Sequence, residues 1–191
     1  MKSLRILFTR ECYRSCKNCV NDQWDLDSLP EIENPAYRDQ RSFFQSFDEI
    51  ILTGGEPLLY PGDLLTTTYH LKQQAPDSKI ILYTAWDGEE DLLYPLFDYI
   101  DGLTYTIHER KDVEHFLDIA YLYWFYYHSK ELKPEHSLRV NIFGGIDLPE
   151  VDEAGYGVSP LYDQWRIKKG LEFIEDCPLP SNETFIRITG V

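Results

Sequence analysis

Six short apolar runs recur along the chain, mostly with helically spaced segments between them. They are Leu4 to Thr9, Glu49 to Thr53, Lys79 to Thr84, Gly102 to Ile107, Leu138 to Phe143 and Phe185 to Thr189. Each is rich in Ile, Leu, Tyr or Thr and ends near turn residues, which predicts a β-strand. In the first, Leu4, Ile6 and Phe8 alternate with Arg5 and Leu7, a strand period rather than a signal peptide. Between the runs, Phe43, Phe44 and Phe47 predict a helix over 37–47. Leu64, Leu65, Thr68 and Leu71 predict a second, with Asp63 placed to cap it. Leu92, Leu93, Leu96 and Phe97 predict a third, bent or ended by Pro95. The longest covers 112–128, with Asp112 as its cap. A fifth covers 160–174 and carries Leu161, Trp165, Ile167 and Leu171.

Strands alternating with helices imply a parallel sheet in an α/β fold. Two connections are long. Residues 20–36 are acidic and turn-rich, and residues 144–159 are interrupted by glycines and prolines. Long irregular connections in compact domains often act as lids or binding loops. Residues 120–128 read Ala-Tyr-Leu-Tyr-Trp-Phe-Tyr-Tyr-His, apolar and aromatic on every side. Such a helix is either packed on all sides or presents an aromatic face to a partner.

The length of 191 residues fits one domain over 1–191. No apolar stretch is long enough to span a membrane, so a cytoplasmic protein is expected. A net charge of −15 repels nucleic-acid phosphates and anionic lipid, so neither is expected as a partner. Lys2, Arg5, Arg10, Arg14 and Lys17 nonetheless make the start of the chain a basic island, opposed there only by Glu11.

Cys12, Cys16 and Cys19 stand in that island in a C-x3-C-x2-C frame. Clustered cysteines without a secretory signal read as metal ligands rather than disulfides. Three thiolates can hold a four-iron cluster and leave one iron free to bind a small molecule, as catalytic zinc sites keep an open position. The alternative is a structural zinc site that borrows Cys177 or a histidine, in a module that senses or scaffolds without catalysis. Gly54, Gly55, Glu56 and Pro57 follow the second strand. Without Cβ atoms the two glycines allow close approach of backbone to a ligand and positive φ, and Pro57 fixes the following turn. In parallel α/β folds the chemistry sits at the C-terminal strand ends, where both motifs fall. By the same rule Thr84, Trp86, Thr106, His108, Asn141, Phe143, Arg187 and Thr189 are further candidates. Alternation turns only half of them inward.

The two motifs in this order closely resemble the radical S-adenosylmethionine (SAM) superfamily, over nearly the whole chain. Asn18 departs from the pattern, standing where the family often has an aromatic residue. The resemblance implies a partial (β/α)6 TIM-like barrel of parallel strands. It implies a [4Fe-4S] cluster on Cys12, Cys16 and Cys19, with the methionine end of S-adenosyl-L-methionine on the open iron. Glu56 would meet the SAM amino group, and Thr106 or His108 the ribose or carboxylate. One electron would split the sulfonium C–S bond, giving a 5′-deoxyadenosyl radical that takes hydrogen from a substrate. A flavodoxin- or ferredoxin-type donor would supply the electron, guided by Arg10, Arg14 and Lys17. A weaker similarity is to activating enzymes of anaerobic ribonucleotide reductase. It rests on Asn21 followed by Trp24, on Gly54 to Leu58, and on Leu82-Tyr83-Thr84. It implies a glycyl radical made on a partner protein; the alternative is a small-molecule or peptide substrate.

Overall fold

The computed structural model describes residues 1–17, 19–131, 134–150, 157–172, 174–175 and 178–190. Strand β1 (Ser3–Thr9) is followed by helix α1 (Val20–Gln23), a 3₁₀ turn at Leu26–Ser28 and strand β2 (Glu31–Glu33). Then come α2 (Arg41–Phe44), β3 (Glu49–Gly54), α3 (Pro61–Gln74) and β4 (Lys79–Thr84). A 3₁₀ segment, Glu90–Asp98, leads to β5 (Gly102–Ile107), α4 (Asp112–Ser129) and β6 (Ser137–Phe143). The series closes with α5 (Ser159–Tyr162), β7 (Trp165–Leu171) and β8 (Glu183–Thr189).

Among the described residues the strands form one eight-stranded sheet in the order β2-β8-β1-β3-β4-β5-β6-β7, with every pair parallel. From β1 to β7 each new strand, β2 apart, is laid beside its predecessor, as in a (β/α) barrel. The six expected strands are all present, and the fold is the open parallel α/β sheet expected of a partial barrel. The last strand departs from simple succession. It pairs with β1 rather than with its predecessor β7, and β2 is added outside it.

Several expectations need correction. The helix expected over 160–174 is a one-turn helix followed by strand β7, paired to β6 from Leu138↔Trp165 onward. The helix expected over 37–47 is the single turn α2, and the third helix is the 3₁₀ segment containing Pro95. The connection over 20–36 is not wholly irregular, because it contributes helix α1 and edge strand β2. Within 144–159, residues 151–156 lie outside the described residues. Asp63 sits in the first turn of α3, three residues past the cap position, which is Tyr60.

Alternation sorts the sheet into two faces. Leu4, Ile6, Phe8, Ile50, Leu52, Ile80, Leu82, Leu103, Val140 and Ile142 turn to the helices and are almost wholly buried there. Phe116 of α4 anchors this layer: its ring lies over Tyr105 at 5.8 Å and meets Trp165 edge-on at 5.0 Å. Helix α4 itself divides. Ala120, Tyr123 and Tyr126 are buried, while Tyr121 and Phe125 are about half exposed. The residues between the core positions, Arg5, Thr53, Tyr83, Thr106 and Asn141, turn to the other face and line a cavity there. No described helix is long and apolar enough to cross a membrane.

Candidate functional site

The loop after β1 and the turn after β3 are bound to each other. The Gly55 N–H donates to Thr9 O at 2.6 Å, the Glu56 N–H to Glu11 O at 2.7 Å, and Asn21 Nδ2 to Gly54 O at 2.8 Å. Gly54 has φ +124°, and a Cβ at Gly55 would overlap the carbonyl of Glu11. Both glycines are therefore required by the approach of two backbones.

The paired loops form the rim of a cavity of about 370 Å³ at the C-terminal ends of β1 and β3–β6. Cys12, Cys16, Cys19, Gly54, Gly55 and Glu56 line it, and so do Thr106, His108 and Asn141 from β5, its following loop and β6. Thr106 and Asn141 are register partners across the two strands. Thr84 and Phe143 also line it, with the Phe143 ring stacked 5.1 Å from His108. Pro57 is not in the wall; it is buried and opens the 3₁₀ turn Pro57–Leu59 behind it. Trp86 packs edge-on against Tyr13. Arg187 and Thr189 lie away from the cavity on β8, where Arg187 pairs with Glu31 at 2.7 Å. Arg5, Thr53 and Tyr83 belong to the wall but are not among the strand-end candidates that the sequence suggests. Their odd-numbered places between the apolar core residues are the signal that would have found them.

The three cysteines are free thiols. Burial raises the Cys12 thiol, opposed by the backbone N–H and charge of Arg14. Burial, then the neighbouring thiols, push Cys16 up to about 11. Metal binding here must therefore displace protons. Among the described residues no three His, Cys, Asp or Glu side chains converge as ligands of one ion. Cys177 and Asn18 lie outside the described residues. The donor set suits an iron–sulfur cluster: three free thiols on one rim, faced by a glycine turn whose missing side chains leave room.

Glu56 is 2% exposed. Its Oε1 accepts from Thr84 Oγ1 at 2.7 Å and from the Leu58 N–H at 3.1 Å, and its Oε2 accepts from the Ala85 N–H at 3.0 Å. Burial raises its pKa, against the pull of these hydrogen bonds. A carboxylate has about four acceptor positions, so Oε2 keeps one for a further donor. Burial lowers the pKa of His108, which favours the neutral ring.

The arginines of the basic island are paired with carboxylates from elsewhere in the chain. Arg5 pairs with Glu183, and Arg10 with Asp27 at 2.6 Å. Arg14 is a buried member of the cavity wall rather than a surface charge, its side chain 6% exposed and joined to Asp112. Lys17 is exposed. Asp112 is the first residue of α4, not its cap, and its carboxylate serves the preceding loop instead.

A family described as a 4Fe-4S single cluster domain matches residues 3–110, more than half of the chain. The chain belongs to this family. The matched span of this single-cluster domain runs from β1 to the loop after β5, and so takes in all three cysteines and the glycine turn. No curated protein is a match in sequence. Among solved structures the chain is similar to a crystal structure of BtrN in complex with AdoMet and 2-DOIA, at 24% identity and a TM-score of 0.46. The similarity covers 56% of this chain and 46% of that one, so the single-cluster domain chain spans under half of that protein.

Proposed function

We propose that this chain is a radical SAM enzyme. What carries the reading is one arrangement: three free thiols and the Gly54–Gly55–Glu56 turn on the rim of a single cavity, in a chain of the four-iron single-cluster family. When bound, the reduced cluster supplies one electron to the sulfonium of SAM. That electron would allow SAM to serve as a source of a 5′-deoxyadenosyl radical for hydrogen abstraction.

The chain's own residues bind and orient. Cys12, Cys16 and Cys19 hold the cluster, and SAM binds in the cavity beside it. The volume of about 370 Å³ is within the range of small-molecule sites. The spare acceptor position on Glu56 Oε2 receives the SAM amino group. Thr106, His108 and Asn141 sit across the cavity to meet its polar groups, and the Phe143 and His108 rings give it a flat wall. Gly54 and Gly55 keep the rim clear of side chains.

The finer reading is an activase that makes a glycyl radical on a partner protein, with a flavodoxin or ferredoxin as electron donor. Asn21 favours it: the asparagine shared with such enzymes bonds Gly54 O and so ties the cluster loop to the glycine turn. The test is anaerobic reconstitution with iron and sulfide, then SAM and dithionite, with 5′-deoxyadenosine as readout. Wild type should form it and the Cys12/Cys16/Cys19→Ala protein should not. An intact cluster whose spectrum SAM does not perturb would overturn the radical SAM reading. A glycyl radical EPR signal on a co-incubated candidate partner would separate activase from small-molecule chemistry.

A further inference from the structure

Arg14 lies between the first two cysteines, yet its guanidinium is nearly as buried as the core. Its Nη1 reaches both oxygens of Asp112, at 3.0 and 2.9 Å, and Asp112 is 0% exposed. Asp112 Oδ2 also accepts from the N–H groups of His108 and Glu109, at 2.8 and 2.9 Å. The pair thus joins the cluster loop to the loop that carries His108, across 98 residues of sequence. Nη2 lies 3.4 Å from Asp87, in a pair with poor hydrogen-bond geometry. Nε and Nη2 make no well-formed hydrogen bond among the described residues, although Asp87 and the Tyr13 ring, its centroid 5.7 Å from Cζ, lie beside the guanidinium. Arginine N–H groups buried without acceptors are costly. These belong to a side chain that lines the cavity beside Cys12, Cys16 and Cys19.

We propose that Arg14 is a positioning residue of the iron–sulfur centre: Asp112 clamps its guanidinium so that the remaining N–H donors serve the cluster's sulfur atoms. This rests on the cluster assignment but not on the SAM reading. Hydrogen bonds to cluster sulfurs and nearby positive charge favour the reduced, more negative cluster and raise its potential. Asp112 holds the guanidinium in place and also offsets part of its charge. The two residues therefore act on the potential with opposite sign, although both support the same loop.

The experiment compares wild type, Arg14→Gln, Asp112→Asn and the double variant Arg14→Met/Asp112→Leu after anaerobic reconstitution. Iron and sulfide per chain, EPR-monitored redox titration and thermal melting are read on each. Arg14→Gln should lower the reduced-to-oxidised ratio at fixed potential by about tenfold, equivalent to about 59 mV for one electron. Asp112→Asn should raise that ratio. Single removal leaves a buried charge unpaired and can unfold the protein, whereas an apolar replacement of both is tolerated better. The double variant should therefore melt near wild type while keeping the lowered ratio. The proposal is overturned if the double variant recovers both melting temperature and potential. It is also overturned if the single variants shift the potential in the same direction or not at all. Wild type that takes up no iron would sink the cluster assignment as well, a result distinct from each of these.

Discussion

Leu82 and Tyr83 are neighbours in the chain but belong to different parts of the molecule. Leu82 turns to the helices and is fully buried in an aliphatic layer shared with Leu52, Leu103 and Val140. Tyr83 turns the other way, into the cavity wall, with Arg5 held 5.0 Å from its ring. Leu52 and Thr53 repeat the division on β3, and Val140 and Asn141 on β6. A closed eight-stranded barrel fills its interior with layers of branched aliphatic side chains. This sheet places its aliphatic residues mainly on the helix side and leaves much of the inner side polar. One face determines whether the chain folds and the other what it can hold.

Single substitutions can break or sharpen that division. The largest effect on stability is expected from Leu82→Ala, at about 2–5 kcal/mol in denaturant unfolding. The surviving folded fraction should still take up iron; a full loss of iron uptake from that fraction would show the faces to be interdependent. Gly55→Ala comes next, because its Cβ overlaps the Glu11 carbonyl and one backbone must move. About 1–3 kcal/mol is expected, the range for overpacking, with iron per chain falling much further than stability. Normal cluster content in this variant would mean the two loops need not touch. Asn141→Ala, on the inner face, should stay within about 0.5 kcal/mol of wild type in stability. SAM binding to the reconstituted protein should weaken, as read by the cluster's EPR signal.

The smallest effect concerns acid. Burial depresses the pKa of His136, whose ring stacks on Tyr126 at 5.9 Å, near Asp98, Asp101, Lys72 and Lys130. Below the usual histidine value of about 6.5 the unfolded chain binds a proton that the folded chain resists. Stability should therefore fall as pH drops through that value, and His136→Phe should fall less than wild type. Identical urea midpoints for both proteins at pH 7.5 and 5.5 would remove His136 as the cause.

The sheet and the rim were legible because their signals are local. Alternation at Leu4, Ile6 and Phe8, and runs such as Lys79 to Thr84, mark strands without knowledge of their neighbours. The cysteine and glycine motifs fall after strands, and their positions on the rim follow from that. Strand β7 reads as helix because Leu161 and Trp165, and Ile167 and Leu171, stand four residues apart, and because an exposed edge strand carries Arg166, Lys168 and Lys169 without a buried stripe. Strand β2 is three residues long, too short for any period. The place of β8 beside β1 is a long-range property of the sheet order, which no local pattern records. Arg14 reads as surface charge because arginine in a loop ordinarily is. It is buried together with Asp112, whose local pattern indicates only a helix cap.

The hydrogen bonds between the cysteine loop and the glycine turn bear on how this site can be moved between proteins. Each loop supplies what the other lacks: Thr9 O and Glu11 O are filled by Gly55 and Glu56, and Gly54 O by Asn21. A graft of the cysteine loop alone into another sheet would arrive with those carbonyls and the Asn21 amide unanswered. The smallest portable cassette for iron in this chain is two segments from adjacent strands, transplanted together and in register.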